Sequence, residues 1–212
     1  MMWSRKSTLR RTVVLGLLVV SPIILGATAL AQPPTPLPES SRYSGIDLVV
    51  LIDQSGSMWG HPEYHPEAND FRGHRIGETQ GLIQRLAAHA RSTATVHRVS
   101  VVDFGDEAKV ALSNLVMRYD RDNPDDLENT TTAAVERAVT AKDWINTNTP
   151  EAMRVGLDEF RKMDASEALA NRLKAMLIVT DGRANLPDKK AEMPGLVREQ
   201  ADALKSAGVE LY

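Results

Sequence analysis

The chain has 212 residues, with 25 Lys and Arg against 28 Asp and Glu, a formal charge of −3 and no cysteine. That length fits one ordinary domain with a short appendage, and 42% hydrophobic with 25% charged residues is a globular composition, neither collagen-like nor disordered. The missing cysteines exclude disulfide scaffolds, thiolate metal sites, iron–sulfur clusters and cysteine nucleophiles, and the slightly acidic balance argues against electrostatic nucleic-acid binding.

The charge is unevenly spread. Arg5, Lys6, Arg10 and Arg11 all precede the first acidic residue, Glu39, and Thr12–Pro38 carries no charge. Without residues 1–31 the balance is 21 basic against 28 acidic groups, or −7. A basic start, an apolar run (VVLGLLVVSPIIL) and the small-residue end Ala29-Leu30-Ala31 predict a signal peptide cleaved after Ala31. The alternative is an uncleaved anchor, because Thr12–Ala31 as a helix rising about 1.5 Å per residue would span a bilayer core of about 30 Å. Both place the rest of the chain outside the cytoplasm, in the periplasm, at the cell surface or secreted, since the basic residues stay inside. Residues 32–44 hold Pro33, Pro34, Pro36 and Pro38, a density that predicts an extended tether. The folded domain is expected over 45–212.

Ile46–Ile52 (IDLVVLI) is a continuous apolar, β-branched run ending at Asp53, the pattern of a strand buried on both faces. Ile76, Ile83, Leu86, Ala87 and Ala90 form a helical stripe. His97–Phe104 predicts a second strand, and Gly105-Asp106 turns the chain so that Ala108–Leu115 returns antiparallel. Asn129-Thr130-Thr131 fits a cap for a helix over Thr131–Trp144. Thr149 is expected to cap the next helix, with Pro150 at its first position and Met153, Leu157 and Phe160 on its apolar stripe. Ala175–Thr180 is another buried strand, Leu196–Ala207 a helix stopped by Gly208, and Val209–Tyr212 the start of a last strand. Alternating strands and helices predict an α/β, Rossmann-like doubly wound sheet, mostly parallel, with one antiparallel edge strand. Such sheets build their sites at the carboxyl ends of the strands.

Three oxygen-rich segments meet at that edge. Asp53-Gln54-Ser55-Gly56-Ser57 leaves the first strand, Thr147-Asn148-Thr149 feeds a helix, and Thr180-Asp181-Gly182 leaves a later strand. Two carboxylates brought together repel unless one is protonated or a cation sits between them. Hydroxyl and carboxylate oxygens suit a hard ion, Mg²⁺ or Mn²⁺. Mg²⁺ retains waters, so a coordination position stays open for a carboxylate from a partner. Asp-x-Ser-x-Ser after a strand, Thr-x-Thr before a helix and Thr-Asp-Gly after a later strand resemble the von Willebrand factor type A domain and its metal-ion-dependent adhesion site. The resemblance covers about residues 45–212. It implies metal ligands at Asp53, Ser55, Ser57, Thr147 and Asp181, and a non-enzymatic domain that binds a protein partner's Asp or Glu through the metal. Where family members commonly have glycine before Thr-x-Thr, this chain has Ile145-Asn146. The resemblance also implies a further helix and strand beyond Tyr212, so the domain as given is expected to be truncated.

Other residues are less specific. The loop Trp59–His74 brings His61, His65 and His74 near the same edge, as a recognition rim, a second metal site or a solvated loop; Trp59 and Tyr64 are the rim candidates. His89 and His97 are expected to be structural, and Asp120–Asp126 a solvated loop. Two other functions remain open. A metal-dependent hydrolase or phosphatase is one, although Ser55 stands where haloacid-dehalogenase-type enzymes carry an acid, and an alcohol supplies no proton at neutral pH. A structural envelope component with a purely stabilising metal is the other.

Overall fold

A computed structural model describes residues 43–63, 67–70, 72–123, 126–182 and 184–212. The predicted leader and tether (1–31 and 32–44) lie almost wholly outside these residues, as do Tyr64 and His65. The strands are β1 (Gly45–Asp53), β2 (His97–Phe104), β3 (Ala108–Met117), β4 (Arg172–Val179) and β5 (Val209–Leu211). They form one sheet in the order β3-β2-β1-β4-β5, in which only the β2–β3 pair is antiparallel. The register sets Asp53 opposite Phe104 and Ile52 opposite Val179, so three strands end together at one edge.

The helices are α1 (Gly56–Trp59), α2 (His74–Thr93), α3 (Asp126–Ala138), α4 (Thr149–Ser166) and α5 (Met193–Ser206). Successive side chains of a strand point to opposite faces, and β1 divides its apolar residues accordingly. Leu48, Val50 and Ile52 pack with Ile83, Ala87 and Ala90 of α2 and Leu127 and Val135 of α3. Val49 and Leu51 pack with Met153, Leu157 and Phe160 of α4 and Leu204 of α5. Burial of each such side chain stabilises by about 1.5–3 kcal/mol relative to exposure. Gly156 lets α4 close on the sheet: a Cβ there would lie 2.5 Å from Met176 and 3.2 Å from Leu51. Among the described residues no helix is long and apolar enough to cross a membrane.

Five expectations need correcting. The helix expected over Thr131–Trp144 is α3, which starts at Asp126 and stops at Ala138. Residues 140–146 leave helical geometry because their backbone groups bond elsewhere. Lys142 N–H donates to Gln54 Oε1 (3.1 Å) and Trp144 N–H to Gln54 O (3.1 Å), while Thr140 O accepts from Gln54 Nε2 (3.0 Å). Asn129-Thr130-Thr131 lies inside α3 rather than capping it, and Asp126, placed in the solvated loop, opens that helix. Asn148, not Thr149, caps α4: its Oδ1 accepts from Glu151 N–H at 3.4 Å, with Thr149 and Pro150 already in the first turn. Strand β3 runs to Met117, two residues beyond the expected end, because Arg98 and His97 of β2 still pair with Val116 and Met117.

At the amino end of the sheet, a buried ionic cluster closes the core. Asp47 accepts from Arg98 Nε (2.8 Å) and Nη2 and from Arg172 Nη2 (2.8 Å). Burial opposes its charge, but the two guanidinium groups outweigh this and hold the carboxyl below its usual range. His97 stands beside them, 1% exposed. Its Nδ1 accepts from Ile46 N–H (3.1 Å), so in the neutral ring Nε2 carries the proton and faces His89 Nδ1 at 2.9 Å. His89 and His97 are thus structural, as expected. Burial first, then His89 and Arg172, lower the His97 pKa to about 4.

Candidate metal centre

At the carboxyl end of the sheet carboxylate and hydroxyl groups converge. Asp53, the last residue of β1, is fully buried. Its Oδ1 accepts from Ser55 N–H (2.8 Å), which folds Asp53-Gln54-Ser55 into a tight turn, and its Oδ2 accepts from Thr180 Oγ1 (2.6 Å). The Ser55 and Ser57 hydroxyl oxygens lie 3.2 Å apart, and Ser57 Oγ donates to Asp181 Oδ1 at 3.0 Å. Four of the five sequence-predicted residues therefore form one hydrogen-bonded constellation drawn from the exits of β1 and β4. Burial pushes the Asp53 carboxyl up; bonds from Ser55 and Thr180 only partly offset it, and the Asp181 charge adds to the rise.

The fifth residue, Thr147, reaches this edge through backbone bonds. Thr147 is 2% exposed; its N–H and C=O pair with Asn185 in an antiparallel bridge, and Asn185 Oδ1 also accepts from Thr147 N–H at 3.0 Å. Gly56 N–H, inside the Asp-x-Ser-x-Ser segment, donates to Ile145 O (3.1 Å), and Asn148 N–H to Gly105 O (2.8 Å). Asp106 receives Ile145 N–H (3.0 Å) and Asn146 N–H (3.3 Å). Asp106 thus holds Ile145-Asn146, the segment where the sequence departs from the family's glycine. Gly105 is required beneath it, since a Cβ there would meet Trp144 at 2.4 Å. The buried Gln54 amide joins the layers by donating to Asp103 Oδ1 (2.9 Å) and Thr140 O.

The loop ahead of α2 is tied to the same segment. Trp59 is half-buried; its Nε1 donates to Trp144 O (2.9 Å), and its ring stands edge-on to His61. His74 is exposed at the start of α2. Among the described residues no three His, Cys, Asp or Glu gather in a way that could hold a metal ion, so the loop ahead of α2 offers no such group. Residues that motif reading did not single out are Thr180, Asn185, Asp106 and Asn69, whose Nδ2 donates to Asp181 Oδ2. Thr180 stands inside the Thr-Asp-Gly motif and Asp106 in the predicted Gly105-Asp106 turn; Asn185 and Asn69 carry no local sequence signal.

The donor set is two carboxylates and three hydroxyls, hard oxygens without sulfur or imidazole. It fits a divalent cation of the Mg²⁺ type by its chemistry, and the buried, elevated Asp53 carboxyl beside a second acid is the electrostatic deficit such an ion would relieve.

Fold and crest together define a doubly wound α/β domain with an oxygen-rich site at the carboxyl edge of its sheet. The profile of the von Willebrand factor type A domain family matches residues 47–212, and the chain belongs to that family. Solved structures with a similar fold include BatB, a conserved hypothetical protein from Bacteroides thetaiotaomicron (18% identity, 79% of this chain and 64% of that one, TM-score 0.45). Another is proximal thread matrix protein 1 from the mussel byssus, with zinc in its adhesion-site motif (15% identity, 80% and 36%, TM-score 0.48). A third is the PilB minor pilin from Streptococcus sanguinis (20% identity, 65% and 30%, TM-score 0.42). The chain spans less than two thirds of each of these chains. No curated protein matches it significantly.

Proposed function

We propose that this chain is an exported or N-terminally anchored, non-enzymatic binding domain. It holds a protein partner through a divalent cation, Mg²⁺ or Mn²⁺, at Asp53, Ser55, Ser57, Thr147 and Asp181. Domains of this family are generally adhesion or assembly modules. The observation that carries the reading is Asp53: a fully buried carboxylate that, among the described residues, has neutral donors for partners and a second carboxylate as its charged neighbour. A bound cation supplies positive charge there and an open position for an incoming carboxylate. The chain's own part is to hold the oxygens in place. Asp53 and Ser55 are fixed by the turn after β1, Asp181 by Ser57, and Thr147 by Asn185. The Arg- and Lys-rich start and apolar run of residues 1–31 support export.

The test uses immobilised peptide pairs that carry Asp or Glu in one member and Asn or Gln in the other, probed with Mg²⁺ or with a chelator. Retention is expected only for the acidic member, only with the cation, and not for Asp53→Asn. A melting temperature lowered by chelation with no peptide released would assign the metal to stability alone.

A further inference from the structure

We propose that Asn69 is a positioning residue of the metal centre, holding the Asp181 carboxylate where a divalent cation needs it; this rests on the cation-binding reading above. Asp181 is exposed, at the exit of β4, in a place where a carboxylate is free to swing unless it is held. Ser57 Oγ occupies one of its oxygens and Asn69 Nδ2 the other. Asn69 comes from a different loop, 112 residues earlier in the chain.

That loop is anchored well enough for the task. Asn69 N–H donates to Ser57 O (2.8 Å) and Asp70 N–H to Met58 O (3.0 Å), so residues 69–70 run against the metal motif itself. The Asp70 carboxylate accepts His74 N–H (2.7 Å), Arg75 N–H (3.0 Å) and Arg75 Nη1 (2.8 Å). Arg75 is buried, and its Nη2 donates to Gln54 Oε1 at 2.9 Å. Asn69 therefore stands on a frame that begins and ends in Asp53-Gln54-Ser55-Gly56-Ser57.

The residue type matters as much as the place. A lysine or arginine at 69 would neutralise Asp181 and compete with the ion. A carboxylate would repel Asp181 in the metal-free protein. An amide gives an oriented N–H donor without charge, so it fixes the carboxylate and leaves its charge for the cation. Preorganisation of this kind raises affinity by removing the cost of ordering a ligand on binding.

Calorimetric titration of the metal-free domain with Mg²⁺ and Ca²⁺ tests this on wild type, Asp53→Asn, Asn69→Ala and Asn69→Asp. The expected result is Mg²⁺ affinity reduced about tenfold or more in Asn69→Ala, matching the loss of a hydrogen bond to a charged group. Asn69→Asp adds a third carboxylate, which favours the larger, higher-coordinate ion, so the ratio of Ca²⁺ to Mg²⁺ affinity should rise about fivefold or more. That ratio is taken on one protein, and a residue that merely braces the loop would not move it. Wild-type affinity in Asn69→Ala with an unchanged ratio in Asn69→Asp overturns the proposal and leaves the metal site standing. Failure of wild type to bind either ion overturns the site and this proposal together.

Discussion

Asp47 and Asp53 lie six residues apart on one strand, about 20 Å at strand rise, and both are fully buried. The protein treats them in opposite ways. Asp47 is enclosed by Arg98 and Arg172, which hold its carboxyl below the usual range against the effect of burial. Asp53 faces Ser55, Thr180 and Asp181, and its carboxyl is pushed up by burial, with the Asp181 charge adding to it. Equal burial with unequal neutralisation separates a carboxylate that serves the fold from one that we propose to be a metal ligand. The amino edge carries its own cations; among the described residues, the carboxyl edge presents oxygens with no basic side chain bonded to Asp53.

The comparison breaks most visibly at Asp47. Asp47→Ala leaves two buried guanidinium groups without their acid and should cost about 3–5 kcal/mol, read as a lower urea midpoint. His97, in the same cluster, gives the next largest effect. Its folded pKa of about 4 lies below the ordinary 6.5, so the fold favours the neutral ring. The stability this gives is complete above pH 6.5 and is lost as the pH falls toward 4, by up to about 3 kcal/mol. Urea unfolding at pH 7 and pH 4.5 checks this; His97→Asn keeps an acceptor for Ile46 N–H, removes the titration and should flatten the profile. At the carboxyl edge the scaffold is sharpened by a smaller change. Asn148→Ala should cost about 1 kcal/mol as a lost helix cap, and Thr149→Ala should cost less of this kind because Thr149 is already helical.

Much of the frame was legible in the sequence because β1 and β4 carry continuous apolar runs and β2 the β-branched Val99, Val101 and Val102, which leave little choice of structure there. Segment 139–147 was not. Its Val139, Ala141 and Trp144 extend the pattern expected of the preceding helix, yet Gln54 and Asp106, from two other loops, take its backbone bonds. Helix propensity is a weak prior where tertiary partners compete. The site divides along the same line. Asp53, Ser55, Ser57, Thr147 and Asp181 stand in short motifs whose chemistry is visible residue by residue. Asn69 and Asn185 act across 112 and 38 residues, and no local spacing marks them.

The central claim is that the buried Asp53 carboxylate forms part of a divalent cation site. Calorimetric titration of Mg²⁺ into the metal-free domain, wild type against the isosteric Asp53→Asn, tests it most directly. One saturable site is expected in wild type and none in the variant. The same isotherm from both proteins would contradict it.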